Sequence, residues 1–373
     1  MRIAYGVHGY GRGHATRVGA LLPELGRRHS VRVFAGGDAR AILAPLVEVE
    51  SIPCLRYVYR GQRISWTRTA AANAPFVADL VGRGVVSRSI EEKLERFRPH
   101  LVVSDTEGLL MRAAARLGIP SIGLDHVGVI GHCRPAAPLA DLAQLALDGG
   151  FYRFLVGGAD RVIVSSFYEV PPRRSGVRFV APILRERVLA ARPSEGEHLL
   201  VYFNKGRHLY APHVHEALRA LAVPVVAYGT GREGQDGSVT FRAVDEASFV
   251  EDLASCRAVL ATGGHQLMGE ALYLGKPMLV TPEGSAEQRL NARELERLGL
   301  GRRVAHPDIS GGLLRGFLAE VDRLRGSSRP ASRNGNAEAL VAIDSLAREL
   351  TGAAGPSAQA RRYPAWLEDR SSP

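Results

Sequence analysis

Short apolar runs alternating with stretches of helical period, twice over, constrain the fold of this chain most tightly. In the first half the runs are Arg2 to Val7, Val31 to Phe34, Leu101 to Ser104, Pro120 to Leu124 and Arg161 to Val164. Between them lie segments of helical period, about Ala15 to Arg28, Ile90 to Phe97 and Leu109 to Leu117. The second half repeats the pattern with Leu199 to Phe203, Val223 to Tyr228, Ser238 to Phe241, Ala258 to Ala261 and Pro277 to Thr281. Such alternation predicts parallel sheets covered by helices. At 373 residues the chain is also too long for one ordinary core. The expected class is α/β, with two Rossmann-like parallel-sheet domains facing across a cleft at the carboxyl ends of their strands. The expected division is 1–185, a polar, proline-containing linker 186–197, 198–332, a helix 333–351 and a partly disordered tail 352–373, in which Tyr363 and Trp366 are possible anchors.

Composition bounds the function classes. Apolar content of 46% and charged content of 23% are those of a water-soluble globular protein. Met1 to Gly13 holds one short apolar run broken by glycines, which predicts neither a signal peptide nor a membrane span and makes the cytoplasm the expected location. Cys54, Cys133 and Cys256 are scattered and lack metal-ligand spacing, which predicts reduced thiols. The formal charge of +10 comes with an arginine cluster at Arg56, Arg60, Arg63 and Arg68. Solvated arginine-rich faces account for it, and peripheral attraction to a membrane surface or an anionic acceptor is the alternative. Nucleic acid is not an expected partner, because no aromatic residues interleave with the basic ones.

The chemistry concentrates in Thr262-Gly263-Gly264-His265-Gln266-Leu267-Met268-Gly269-Glu270, between an apolar run and a helical one. Two glycines there let the backbone approach a diphosphate. The free N–H groups of His265, Gln266 and Leu267 and the positive end of the helix then stabilise its charge. Glu270, two turns in, is placed to reach two ribose hydroxyls. After the next run, Glu287 and Gln288, followed by Asn291, offer an acceptor and amides for sugar hydroxyls. Lys205, in the loop after Leu199 to Phe203, either balances the diphosphate or is a solvated loop lysine. The segment Phe241 to Val244, ending in Val244, is the candidate contact for the base.

In the first half, Gly9-Tyr10-Gly11-Arg12-Gly13-His14 closes the first run and opens the first helix. The glycines fall one residue short of G-x-G-x-x-G, which disfavours a dinucleotide site even though Asp38 stands where its ribose-binding acid would be. A structural tight turn and an acceptor-binding loop containing Gly13 remain. Asp105, at the end of the run beginning at Leu101, is either the cap of the following helix or the partner of His14. Asp125 and His126 end the next run on the same side, as acceptor contacts or as structural residues.

Taken together, Gly263, Gly264, Glu270, Glu287, Gln288, Gly13-His14 and Asp105 resemble the motifs of GT-B glycosyltransferases. The lineage is that of the lipid II-forming N-acetylglucosaminyltransferase and the plant UDP-glycosyltransferases. One departure is Arg17, which stands where family members often have Pro. The resemblance implies a last helix that crosses back to the first domain and a catalytic His14 held by Asp105. It implies a UDP-sugar donor, with dTDP as an alternative nucleotide, and inverting transfer of a hexose to a hydroxyl of a small molecule such as a secondary metabolite or nucleoside. A polyprenyl-linked or cell-envelope saccharide is the alternative acceptor. A UDP-sugar epimerase and a non-catalytic nucleotide-sugar binding module are the competing functions. The chain has no Asp-x-Asp, and His208, His213 and His215 come without acidic or Cys ligands, so neither a metal nor another cofactor is expected.

Overall fold

In the computed structural model, which describes residues 1–60, 63–203, 206–328 and 333–352, each half of the chain folds onto its own seven-stranded sheet. The first half contributes β1 (Arg2–Val7), β2 (Ser30–Ala35), β3 (Val49–Ser51), a two-stranded hairpin of β4 (Tyr59–Arg60) and β5 (Arg63–Ile64), β6 (Leu101–Asp105), β7 (Ser121–Asp125), β8 (Arg161–Ser165) and β9 (Val177–Val180). Its main sheet runs β3-β2-β1-β6-β7-β8-β9 and is parallel throughout. The second half contributes β10 (Leu199–Tyr202), β11 (Val225–Tyr228), β12 (Gly234–Asp236), β13 (Val239–Arg242), β14 (Ala258–Ala261), β15 (Met278–Val280) and β16 (Gly301–Arg303). These run β12-β13-β11-β10-β14-β15-β16, antiparallel only between β12 and β13.

Central strands are buried on both faces: β6, β7 and β14 have no exposed residue, as continuous apolar runs between helical layers require. Strand order reverses beside β1 in the first sheet and beside β10 in the second. At such switch points the loops leave in opposite directions and open a crevice. Pairing of Val7 with Asp105 brings the carboxyl ends of β1 and β6 level there. The first helix, Arg12–Arg28, starts three residues earlier than its apolar period indicates, so His14 falls in its first turn.

The helix Asn336–Gly352 packs on the first sheet, where Ala339, Ile343, Leu346 and Ala347 share a core with Ile3, Tyr5, Val18 and Leu21. Asn336 holds both the N–H and the C=O of Leu184 at 2.8 Å, and Asp344 pairs with Arg28 (3.1 Å) and His29 (2.8 Å). Within 186–197 the short helix Glu186–Ala190 buries Val188 in the second core. Among the described residues no helix is long and apolar enough to cross a membrane. Asn204, Lys205, Tyr363 and Trp366 lie outside the described residues.

Candidate active site

The first-half side of the cleft is built around a buried carboxylate. Gly11 enters the first helix with φ of 85°, a left-handed backbone that favours glycine, and its N–H donates to Asp38 Oδ2 at 2.9 Å. Asp38, the residue that imitates a ribose-binding acid, therefore ties down the loop. Leaving that loop, His14 places Nδ1 2.6 Å from Asp105 Oδ1. Arg17, one turn on, grips the same carboxylate with Nε to Oδ2 at 2.8 Å and Nη2 to Oδ1 at 2.9 Å. Asp105 is fully buried and Arg17 is 3% exposed. Burial alone would raise the Asp105 pKa, but the Arg17 and His14 charges and hydrogen bonds outweigh it and hold the carboxyl below the ordinary range. With Nδ1 engaged, Nε2 is the ring nitrogen of His14 left for chemistry in the cleft.

The second-half side begins at β14. Gly264 precedes the helix His265–Tyr273, whose start has no side-chain cap, and a Cβ at Gly264 would meet nothing within 4 Å. Its uncapped first N–H groups and open approach suit an anion. Gly263 does different work: a Cβ there would lie 2.6 Å from the Gln288 carbonyl oxygen, so this glycine lets its turn sit against the helix Ala286–Arg297 and does not line the cleft. Glu270 is fully buried and forms a bidentate pair with Arg185, Nε to Oε1 at 2.9 Å and Nη2 to Oε2 at 2.6 Å. Gln266 Nε2 adds a third bond to Oε1 at 3.0 Å. Asn291, also fully buried, donates to the Gly263 carbonyl at 2.9 Å and to Glu287 Oε1 at 2.5 Å. Burial pushes the Glu287 carboxyl up to about 7, against the lowering effect of that amide. Gln288 accepts from the Glu283 N–H at 3.0 Å.

The halves meet through rings and amides. The His126 and His265 rings stack at 3.7 Å between centroids, and Phe167 lies parallel to His265 at 5.7 Å. Asn291 Oδ1 lies 2.8 Å from His126 Nε2 and accepts from the Tyr168 hydroxyl at 2.6 Å. A Cβ on Gly13 would sit 3.4 Å from Gln266 Cβ, so the starts of the two helices nearly touch. Further out, Arg289 Nε donates to Asp141 Oδ1 at 2.9 Å and the Ala286 N–H to Asp148 Oδ2 at 3.0 Å. The cavity enclosed between them is about 230 Å³. Among the predicted site residues, Gly13, His14, His126, Val244, Gly264, His265, Gln266, Leu267, Glu270, Glu287 and Gln288 line it.

Other expectations need correcting. Asp125 does not face the cleft: it accepts from the Gly128 N–H (2.7 Å), Thr106 Oγ1 (3.0 Å) and the Tyr152 hydroxyl (2.8 Å). Asp105 is not a helix cap, because Glu107 takes that role, accepting from the N–H groups of Leu109 (3.1 Å) and Leu110 (2.7 Å). Phe241 is buried in the second core under the Arg232 guanidinium, leaving Val244 as the part of its segment on the cleft. Glu270, placed by the sequence to reach a ribose, lines the cavity and also carries the Arg185 pair. Sequence reasoning missed Arg17 and Arg185 as partners, and one signal was available: Arg17 stands one helical turn after His14, on the same face. Among the described residues no three His, Cys, Asp or Glu side chains are grouped so as to hold a metal ion.

Known proteins give this geometry its context. Residues 1–322 match the model of glycosyl transferase family 1. An uncharacterized glycosyltransferase of Methanosarcina acetivorans is 26% identical over 335 residues, covering 82% of this chain and 86% of its own. Glycosyltransferase VinC in complex with dTDP superposes with a TM-score of 0.63 at 18% identity, over 94% of this chain and 100% of its own. Phytolacca americana UGT2, complexed with UDP-2-fluoroglucose and pterostilbene, also gives 0.63, at 14% identity, over 93% and 98%. The chain belongs to glycosyl transferase family 1 and is a glycosyltransferase of the GT-B fold.

Proposed function

We propose that the protein transfers a hexose from a nucleoside diphosphate sugar, UDP in the first instance, to a hydroxyl of a small-molecule acceptor, with inversion and without a metal. One observation carries this reading: His14, held by Asp105 from behind, and the uncapped helix start at His265 line the same cavity, one from each half. His14 Nε2 takes the acceptor proton as the oxygen attacks the anomeric carbon. The N–H groups from His265 to Leu267 stabilise the departing diphosphate. Glu270 holds the pentose, and Glu287 with Gln288 orients the hexose. The nucleotides printed for the two solved relatives, dTDP and a UDP-sugar, are of the class this donor half suits.

The test is release of nucleoside diphosphate from a UDP-sugar with and without a mixed pool of hydroxylated acceptors, repeated with EDTA. Transfer predicts release that needs the acceptor and survives the chelator. Donor epimerised without net release would make the protein an epimerase, donor bound without either reaction would make it a binding module, and loss of transfer in EDTA would show a metal requirement.

A further inference from the structure

Arg17 serves two buried carboxylates. It bonds Asp105 through Nε at 2.8 Å and Nη2 at 2.9 Å, and its charge also favours the ionised form of Asp125, at the end of the neighbouring strand β7. The Asp105 charge acts the other way on Asp125 and helps burial to push that carboxyl up. The groups that face Asp105 come from four elements. Tyr5 and His8 come from β1 and the loop after it, His14 and Arg17 from the helix Arg12–Arg28, Asp125 from β7 and Tyr152 from the helix Leu139–Val156. Burial pushes His8 down to about 3, so it is neutral, and Arg17 alone in this group carries a fixed positive charge. Along the cleft, Glu287 and the His126 ring face both His14 and Arg17, and His265 faces Arg17.

The contact of 2.6 Å between His14 Nδ1 and Asp105 Oδ1 needs a hydrogen between the two atoms. With Asp105 ionised, that hydrogen belongs to Nδ1, and Nε2 has the lone pair a base needs. With Asp105 protonated, its O–H donates to Nδ1, and the neutral ring carries its own hydrogen on Nε2, where the lone pair is lost. Burial favours the second arrangement. The guanidinium on both carboxylate oxygens favours the first, and Oδ1 accepts from Nη2 as well as from Nδ1.

We infer that Arg17 is a positioning residue for the reaction: by holding Asp105 ionised it fixes the His14 hydrogen on Nδ1 and leaves Nε2 free to take the acceptor proton. This role rests on the proposed reading of His14 as the base.

The experiment measures steady-state transfer to a confirmed acceptor from pH 6 to 9, with titration of the UDP-sugar alongside, on the parent, Arg17→Gln and Arg17→Lys. Gln keeps a hydrogen-bond donor and removes the charge, whereas Lys keeps the charge and loses the fork. Arg17→Gln is expected to bind the donor within a few-fold of the parent and to lose transfer by roughly 10²-fold or more near pH 6. It should regain up to about tenfold per pH unit as Asp105 ionises. Arg17→Lys is expected to keep the shape of the parental profile. A loss in Arg17→Gln that is the same at every pH, or a Lys variant displaced as far as the Gln variant, overturns the inference. If Arg17→Gln does not fold, nitrogen-15 spectra of the parent carrying labelled histidine decide it, with the His14 signal assigned from His14→Ala. A neutral His14 ring with its hydrogen on Nδ1 supports the inference, and a hydrogen on Nε2 overturns it. A parent that transfers to no acceptor overturns the reading of His14 as base instead, and the spectra still report the hydrogen between His14 and Asp105, which keeps the two failures apart.

Discussion

Asp105, buried behind His14, and Glu287, on the cleft, come from opposite halves, and their surroundings push them in opposite directions. Asp105 is the more deeply buried, yet its carboxyl is held low, whereas Glu287, 17% exposed, is pushed up to about 7. The difference lies in their closest partners. Asp105 has a guanidinium on both oxygens and an imidazole on one, while the shortest contact of Glu287 is the neutral amide of Asn291. Burial penalises charge in both places, and only a counterion within hydrogen-bonding distance reverses it. The wall that must carry a fixed negative charge beside the proposed base is thus built from ions. The wall from the second half combines amides and backbone N–H groups with acids, Glu270 paired with Arg185 and Glu287 bonded to the Asn291 amide.

The largest way to break this contrast is Asp105→Asn. Beyond its effect on the reaction, it leaves Arg17 buried without a counter-charge, and unfolding in urea should show a loss of about 3–5 kcal/mol. Adding Arg17→Met should recover much of it. If Asp105→Asn were as stable as the parent, the charge on the acceptor wall would not be structural.

On the donor wall, Glu270→Ala should weaken nucleotide binding by about 1.5–3 kcal/mol, the range for a hydrogen bond to a charged group, read by titration with UDP. Its melting temperature should fall as well, since among the described residues the acid left to Arg185 is Glu246, at 3.6 Å. Unchanged affinity would remove Glu270 from the site.

A smaller effect concerns pH. The folded-state pKa of Glu287 is raised above its unfolded value, so the native state binds this proton more tightly. Its contribution is present below the ordinary carboxylate range and is lost as pH rises through about 7. Glu287→Gln removes the titration, so the variant should gain on the parent between pH 5 and 8 by on the order of 2–3 kcal/mol. Parallel stability curves across that range would show that Glu287 has an ordinary pKa.

The sequence revealed the middle of each sheet and hid its edges. Within the two seven-stranded sheets, the strands it did not predict, β3, β9, β12 and β16, are the four sheet edges. Their residues, such as Gly234-Gln235-Asp236 and Gly301-Arg302-Arg303, are half covered and carry no apolar run. The donor motif was legible because its spacing is local: a strand, a turn and a helix within a dozen residues. The partners of its acids were not, because Arg185 meets Glu270 across 85 positions and Asp105 meets Arg17 across 88. Asp125 misled for a related reason. Its position at a strand end is visible in the sequence, but its direction is set by Tyr152 and Gly128, which fold brings to it.

The central claim is that the two walls divide the work, base on one and donor on the other, and His14→Ala tests it most directly. Donor affinity and steady-state transfer to a confirmed acceptor are measured on the same protein. The account predicts a UDP-sugar dissociation constant within a few-fold of the parent and transfer reduced by roughly 10² to 10⁴. Near-parental turnover at saturating substrates would contradict it.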